Sequence, residues 1–211
     1  MIYLYAVSDR APSPPAHVAG LDGAAVEQLE YGAVCAIFSL HAGPAPEPSA
    51  AALWAHEAVV EALLRDRAVL PMRFGTVLAD ERKLRAELAD RALEFARLLD
   101  RVRDRVELSV RVIGEPADLT PATDGTEYLA RKLELAREAE LVHAPLAELA
   151  EESRRGAPRR ASILSASYLL PRGGVERFVA EVRGLQQRNP SLELVCTGPW
   201  PAYSFVEELA A

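Results

Sequence analysis

Short runs of strand-forming residues alternate along this chain with segments whose apolar positions recur at helical spacing, and that alternation restricts the fold more than any other feature. Val106, Leu108, Val110 and Val112 alternate with Glu107, Ser109 and Arg111. A pleated strand sends successive side chains to opposite faces, so this run predicts a strand with one apolar and one polar face. Ile2 to Val7, Ile163 to Leu170 and Leu192 to Thr197 are also strand-like. Ala33 to Leu40 is apolar apart from Ser39, which fits a strand buried on both faces. The run at Val69 and Leu70 meets Pro71, which has no N–H for a sheet ladder, so this strand is an edge or begins there.

Helices fill the intervals. Ser49 is placed to cap a helix reaching about Arg67, with Leu53, Val60, Leu63 and Leu64 on one face. Asp80 caps a second, whose stripe is Leu84, Leu88, Phe95, Leu98 and Val102. A third runs from Thr126 to Ser153 through Leu135, Ala139, Val142, Leu146 and Leu149, with Pro145 expected to kink or split it. A fourth follows Val175, Phe178, Val182 and Leu185 and stops at Asn189-Pro190. A short helical piece is expected from Leu21 to Leu29, and a turn at Pro12, Pro14 and Pro15.

This pattern predicts an α+β protein of two small lobes, each a sheet with helices packed on one side, ferredoxin-like in character. The Gly- and Pro-containing stretch from Gly114 to Gly125 is the expected link. It divides the chain into an N-terminal domain, 1–113, and a C-terminal domain, 114–211, which holds the long helix and an aromatic tail.

Composition narrows the function classes. The chain of 211 residues carries 24 basic and 31 acidic side chains, a net charge of -7. That balance speaks against nucleic-acid binding and against a polybasic membrane anchor. No apolar run approaches the ~20 residues that span a bilayer, and the start lacks the features of a secretory signal, so a soluble cytoplasmic protein is expected. Arg154 to Arg160 is read as a solvated basic loop, with anion binding as the alternative. Cys35 and Cys196 sit in apolar runs and are read as buried free thiols; there is no CxxC.

The catalytic inventory is empty. His56-Glu57 begins like a zinc-protease helix, but Val60 stands where the second histidine belongs. No GxSxG, GxGxxG or Walker lysine occurs. No catalytic, cofactor-binding or metal-binding residue is therefore assigned, and the chain is read as a non-enzyme that binds other proteins. His56, on the apolar face of its helix, has two readings: a packed histidine satisfied by a backbone carbonyl, or a functional or metal-bound one.

Two segments combine proline, glycine and aromatics: LPMRFGTV at 70–77 and GPWPAYSFV at 198–206. The tail aromatics Trp200, Tyr203 and Phe205 are expected to pack together against the C-terminal lobe. VLPMRFGTV after a helix containing His56, with the closing GPWPAYSFV, resembles the signature of the gas vesicle protein F/L family (GvpF/GvpL). MIYLYAV is similar to the opening strand of that family, and ILSASYLLP to a third block. The motif positions are His56, Leu70, Pro71, Arg73, Phe74, Gly75 and Thr76, then Gly198, Pro199, Trp200, Pro201, Tyr203, Ser204 and Phe205, with Ala202 where the family often has proline. His56, Pro71, Arg73, Phe74, Gly75, Pro199, Trp200, Pro201, Tyr203 and Phe205 are the candidates for a partner interface. The resemblance implies an accessory or minor structural protein without enzymatic activity or cofactor, working in gas vesicle assembly. The partners it implies are the major gas vesicle shell protein and other accessory proteins. The alternative reading is a ferredoxin-like domain that senses a ligand, or a metal or haem enzyme using His56.

Overall fold

The computed structural model describes residues 1–9, 18–44, 46–113, 125–157 and 162–206. The expected proline turn after the first strand, the expected link apart from Gly125, and the end of the basic loop lie outside the described residues.

The first sheet is built around β1 (Ile2–Asp9), buried from Ile2 to Ser8. β2 (Glu27–Tyr31) and β3 (Val34–Leu40) form a hairpin across Gly32, whose φ of 59° is a left-handed conformation that glycine adopts without strain. α1 (Ala50–Leu64) follows, then β4 (Val69–Pro71), β5 (Val77–Leu78) and α2 (Glu81–Val102). The strand order is β2-β3-β1-β4, with β5 also paired to β1, and the pairings are antiparallel. Ser49 and Asp80 cap α1 and α2 as their sequence predicts, accepting from Ala52 N–H at 3.1 Å and Lys83 N–H at 2.8 Å. Leu84, Leu88, Phe95, Leu98, Leu99 and Val102 bury the inner face of α2. Each such side chain contributes about 1.5–3 kcal/mol by leaving water.

The second sheet contains β6 (Arg105–Ile113), β7 (Glu152–Arg155), β8 (Ser162–Pro171) and β9 (Glu193–Trp200). α3 (Gly125–Ala147) and α4 (Val175–Arg188) are its helices. Its order, β7-β8-β6-β9, repeats the order of the first sheet when strands are numbered within each unit. With helices between β6 and β7 and between β8 and β9, this is the βαββαβ ferredoxin-like arrangement. Val106, Leu108, Val110 and Val112 of β6 are buried and Arg111 is exposed, as the alternation requires, but Glu107 on the expected polar face is buried too and Ser109 is half-buried. Leu108, Val110, Val112, Val142, Leu146, Tyr168, Phe178, Val182 and Leu185 belong to one core.

Three local expectations are corrected. Leu21 to Leu29 is not a helix: Leu21–Gly23 makes one 3-10 turn, with Asp22 at φ 53°, and β2 begins at Glu27. Glu27, Gln28 and Glu30 gave β2 no apolar alternation; pairing with β3 supplies the strand. α3 ends at Ala147, with Pro145 in its last turn, and Glu152 to Arg155 leave the helix to pair with β8 from Leu169 to Ala166. Leu53 does not share the buried face of α1; it is exposed, while His56, Val59, Val60, Leu63 and Leu64 are buried.

The contacts divide the chain into Met1–Arg105 with Pro201–Ala211, and Val106–Trp200. β6, placed by its sequence position in the N-terminal domain, is thus a strand of the second sheet. The segment after Trp200, placed in the C-terminal domain, belongs to the first unit.

Candidate functional site

The segment carrying LPMRFGTV runs antiparallel along β1. Val69, Leu70 and Pro71 pair with Ser8, Val7 and Ala6, and Met72 N–H donates to Tyr5 O at 2.9 Å. Pairing resumes where Leu4 N–H donates to Thr76 O at 2.9 Å and Val77 faces Tyr3. Arg73, Phe74 and Gly75 bulge out between these two stretches. Thr76 closes the bulge by donating to Arg73 O from its N–H at 3.1 Å and its Oγ1 at 2.7 Å. Gly75, at φ 88°, occupies backbone space that a Cβ would strain. Pro71 therefore lies at the sheet edge as expected, with its missing donor uninvolved in the ladder.

His56 reaches this bulge from α1 and is 1% exposed. Its Nε2 lies 3.1 Å from Met72 O and its Nδ1 lies 2.9 Å from Tyr3 Oη. A carbonyl only accepts, so Nε2 carries the proton and Nδ1 accepts from the Tyr3 hydroxyl. Tyr3 Oη in turn accepts from Gly75 N–H at 3.2 Å. Both ring nitrogens are engaged, which leaves no lone pair for a metal or a haem iron. Burial pushes the His56 pKa down to about 4, against the smaller upward pull of Met72 O. Burial raises the Tyr3 pKa to about 12. Phe74 closes the cluster with its ring centroid 5.9 Å from Tyr3 and 6.0 Å from His56.

A second relay adjoins it. Tyr5 Oη accepts from Leu21 N–H at 2.8 Å and is hydrogen-bonded to Ser39 Oγ at 2.8 Å; Ser39 Oγ lies 2.8 Å from His41 Nε2. A serine beside a histidine is the beginning of a nucleophile–base pair. Ser39 is fully buried, however, and its hydroxyl is already bonded to Tyr5 Oη, so it gives a substrate no approach. Among the described residues no group of three or more His, Cys, Asp or Glu is placed to hold a metal ion. Cys35 and Cys196 are free thiols, Cys35 buried and Cys196 half-buried.

The closing motif is divided between the two units. Gly198, Pro199 and Trp200 end β9, with Trp200 opposite Glu107 and 36% exposed; its Nε1 donates to Thr197 Oγ1 at 3.3 Å. A cis peptide bond joins Gly198 to Pro199. Pro201, Ala202, Phe205 and Val206 are buried. Tyr203 Oη donates to Glu57 Oε1 at 2.9 Å, and Phe205 O accepts from Arg101 Nη1 at 3.5 Å. Burial raises the pKa values of both Glu57 and Tyr203. The expectation that Trp200, Tyr203 and Phe205 pack as one group on the C-terminal lobe is therefore corrected: the chain leaves β9 after Trp200, and the next aromatics anchor on α1 and α2.

Adjacent residues of α1 thus hold both motifs: His56 fixes the 70–77 bulge and Glu57 fixes the terminal turn. Of the candidate residues, His56, Pro71, Pro201 and Phe205 are buried, Phe74 and Tyr203 are half-buried, and Arg73, Gly75, Pro199 and Trp200 face solvent. The sequence reading missed Tyr3, Tyr5, Ser39, His41 and Glu57. The polar tips at every second position of IYLYAV were the available signal. It also missed His143, whose Nδ1 lies 2.8 Å from Tyr168 Oη in the second unit.

The sequence matches the family model described as "Gas vesicle synthesis protein GvpL/GvpF" over residues 1–207. The chain belongs to the gas vesicle GvpL/GvpF family. It is 31% identical to gas vesicle protein F of Streptomyces sp. (strain CB03234), covering 97% of this chain and 99% of that protein. It is 32% identical to gas vesicle protein L of the same strain, over 72% of this chain and 67% of that protein. Among solved structures it resembles the gas vesicle protein GvpF of Anabaena sp. PCC7120, with a TM-score of 0.84 at 20% identity, covering 97% of this chain and 95% of that one. GvpF of Microcystis aeruginosa gives a TM-score of 0.81 at 17% identity, covering 97% and 98%. At such identities the structural likeness speaks for the fold, and the fold is the GvpF fold. Among the described residues no helix is long and apolar enough to cross a membrane.

Proposed function

We propose that this protein is a non-enzymatic accessory protein of gas vesicle assembly, which binds the major gas vesicle shell protein and keeps it soluble until it joins the growing shell. The observation that carries this reading is the family match, which runs through residues 1–207. The candidate site supports it. The polar groups that could have served chemistry, His56, Tyr3 and Ser39, are engaged in buried hydrogen bonds, and those of His56 and Tyr3 hold the 70–77 bulge in place. Arg73, Pro199 and Trp200 remain at the surface as contact residues. A net charge of -7 suits an escort, because repulsion between loaded copies opposes aggregation of an apolar cargo. Cytoplasmic residence at the vesicle follows from this role.

Co-expression tests it. Shell protein made with this chain should co-purify with it and stay in the soluble fraction, and deleting the chain from a vesicle-forming cell should reduce vesicles. If the shell protein neither co-purifies nor gains solubility, and vesicles form without this chain, the reading is wrong.

A further inference from the structure

We infer, resting on the reading of this chain as one that binds another protein, that the 73–75 bulge is a rigid mount for a single guanidinium. Arg73 on that mount takes a carboxylate from a partner segment that carries acidic and apolar side chains together. Leu4 and Tyr5 are neighbours on β1, yet their hydrogen bonds run to Thr76 and Met72 of the opposing segment. Arg73, Phe74 and Gly75 therefore stand outside the ladder with nothing opposite them. An interruption of this kind re-aims side chains at the expense of sheet pairing, and it persists only where the surroundings hold it. Here they hold the backbone itself. Gly75 N–H donates to Tyr3 Oη at 3.2 Å, and His56 Nε2 donates to Met72 O at 3.1 Å. Thr76 donates twice to Arg73 O, from N–H at 3.1 Å and from Oγ1 at 2.7 Å. The Arg73 side chain takes no part in this bracing. It is exposed, and its guanidinium has no hydrogen-bond or ion-pair partner among the described residues. Arg82 and Arg97 on α2, and Arg177 and Arg183 on α4, are exposed and unpaired in the same sense. They ride on helices whose backbone is ordered by the apolar face opposite. At Arg73 the backbone has been diverted from a sheet, and Arg73 carries the only charge of the diverted residues.

The chemistry of the mount selects the ligand. A guanidinium presents a planar fork that matches the two oxygens of a carboxylate. A fork that starts from fixed backbone gives up less freedom on binding. Phe74 is half-buried and Gly75 exposed beside it, so an apolar side chain next to the carboxylate has a ring to lie against. One positive charge matches one carboxylate, whereas a phosphate monoester brings nearly two negative charges. Burial raises the pKa of the Tyr3 hydroxyl beneath the bulge, and the negative charge of Glu57 adds to the rise, so Glu57 is within electrostatic reach and opposes the second charge. A second copy of the same face would set arginine against arginine.

The test uses the full chain and a labelled peptide of alternating leucine and glutamate, followed by fluorescence anisotropy at low salt. The peptide should bind saturably and weaken as salt is added. Arg73→Ala should weaken binding about tenfold, and Arg73→Lys severalfold, because lysine keeps the charge and loses the fork. Thr76→Val leaves Arg73 in place but removes one of the bonds that pin its carbonyl, and should also weaken binding severalfold. Arg82→Ala and Arg97→Ala should leave binding unchanged, and Arg73→Glu should turn the preference toward a peptide with lysine for glutamate. Denaturant midpoints of the Arg73 variants should match that of the parent. Absence of saturable binding, full binding by Arg73→Ala or Thr76→Val, or an equal loss in Arg82→Ala would each overturn the assignment. Displacement of the peptide by inorganic phosphate but not by acetate at equal ionic strength would overturn it as well. Co-purification of the shell protein is read separately. If Arg73→Ala keeps both the peptide and the shell protein, the arginine is wrong and the escort role stands; if the peptide depends on Arg73 but the shell protein never co-purifies, the reverse holds.

Discussion

At the scale of single residues, His56 has the largest consequences. Replacing it with alanine opens a space among Tyr3, Tyr5 and Phe74 and strands Met72 O and the Tyr3 hydroxyl. The expected loss is about 2–5 kcal/mol, the range for a cavity combined with broken buried hydrogen bonds. Urea melts followed in the first unit check it, and a loss below about 1 kcal/mol would mean the cluster is not holding the bulge. The same residue makes stability depend on pH. Its folded pKa is about 4, below the ordinary 6.5, so between these values the unfolded chain binds a proton that the folded chain refuses. Stability is therefore present in full above about pH 6.5 and falls toward pH 4, by about 1.4 kcal/mol per unit at most. Glu57, whose pKa is raised, acts in the opposite direction as it protonates. The difference between the parent and His56→Gln isolates the histidine, and it should shrink as pH falls from 6.5 to 4.

At the scale of elements, the two motif glycines make contrasting predictions. Gly75 has φ 88° and open space around the missing side chain, so Gly75→Ala should cost about 1 kcal/mol of backbone strain alone. Gly198 has φ 116°, and a Cβ there would stand 2.7 Å from Glu107 O and 2.8 Å from Leu108 Cδ2. Gly198→Ala should then cost more, about 2–4 kcal/mol, and should loosen β9 from β6. Thermal melts of the two variants, with hydrogen exchange on β6, separate the cases; equal effects would refute the account. How well the sequence announced its elements follows from the same local chemistry. β6 and α4 were legible because one face of each is apolar at its own period, and α2 because Asp80 and a clean stripe mark it. β2 and β7 were illegible because Glu27, Glu30, Arg154 and Arg155 occupy edge strands whose only structural signal is the neighbour they pair with. The motif residues could be named, but not their division into buried anchors and exposed contacts. That depends on Tyr3, far in sequence from the 70–77 segment, and on Glu57, far from the closing one.

At the scale of the molecule, the tail is read most directly by comparing its aromatics. Phe205→Ala should cost about 3–5 kcal/mol, because the ring is fully buried. Trp200→Ala should cost less than about 1 kcal/mol, because the indole is about one-third exposed at the end of an edge strand and its hydrogen bond is to Thr197 alone. Chemical denaturation of both variants decides this, and the reverse order would return Trp200 to the core. Removing the chain after Trp200 should destabilise the first unit and spare the second, a result that domain-resolved proteolysis would display.

The first unit is interrupted in the chain by the whole of the second, and this sets a timetable for synthesis. A ribosome adding about 5–20 residues per second delivers β1 to α2, then spends roughly 5–20 s on the intervening hundred residues before Tyr203 and Phe205 arrive. During that interval Glu57 lacks its tyrosine and the seat of Phe205 stands open. The nascent N-terminal half is thus a split fold awaiting its last strip, while the later half can close on its own. A translation product cut just after Trp200 would consequently be faulty at its beginning rather than at the point where it was cut.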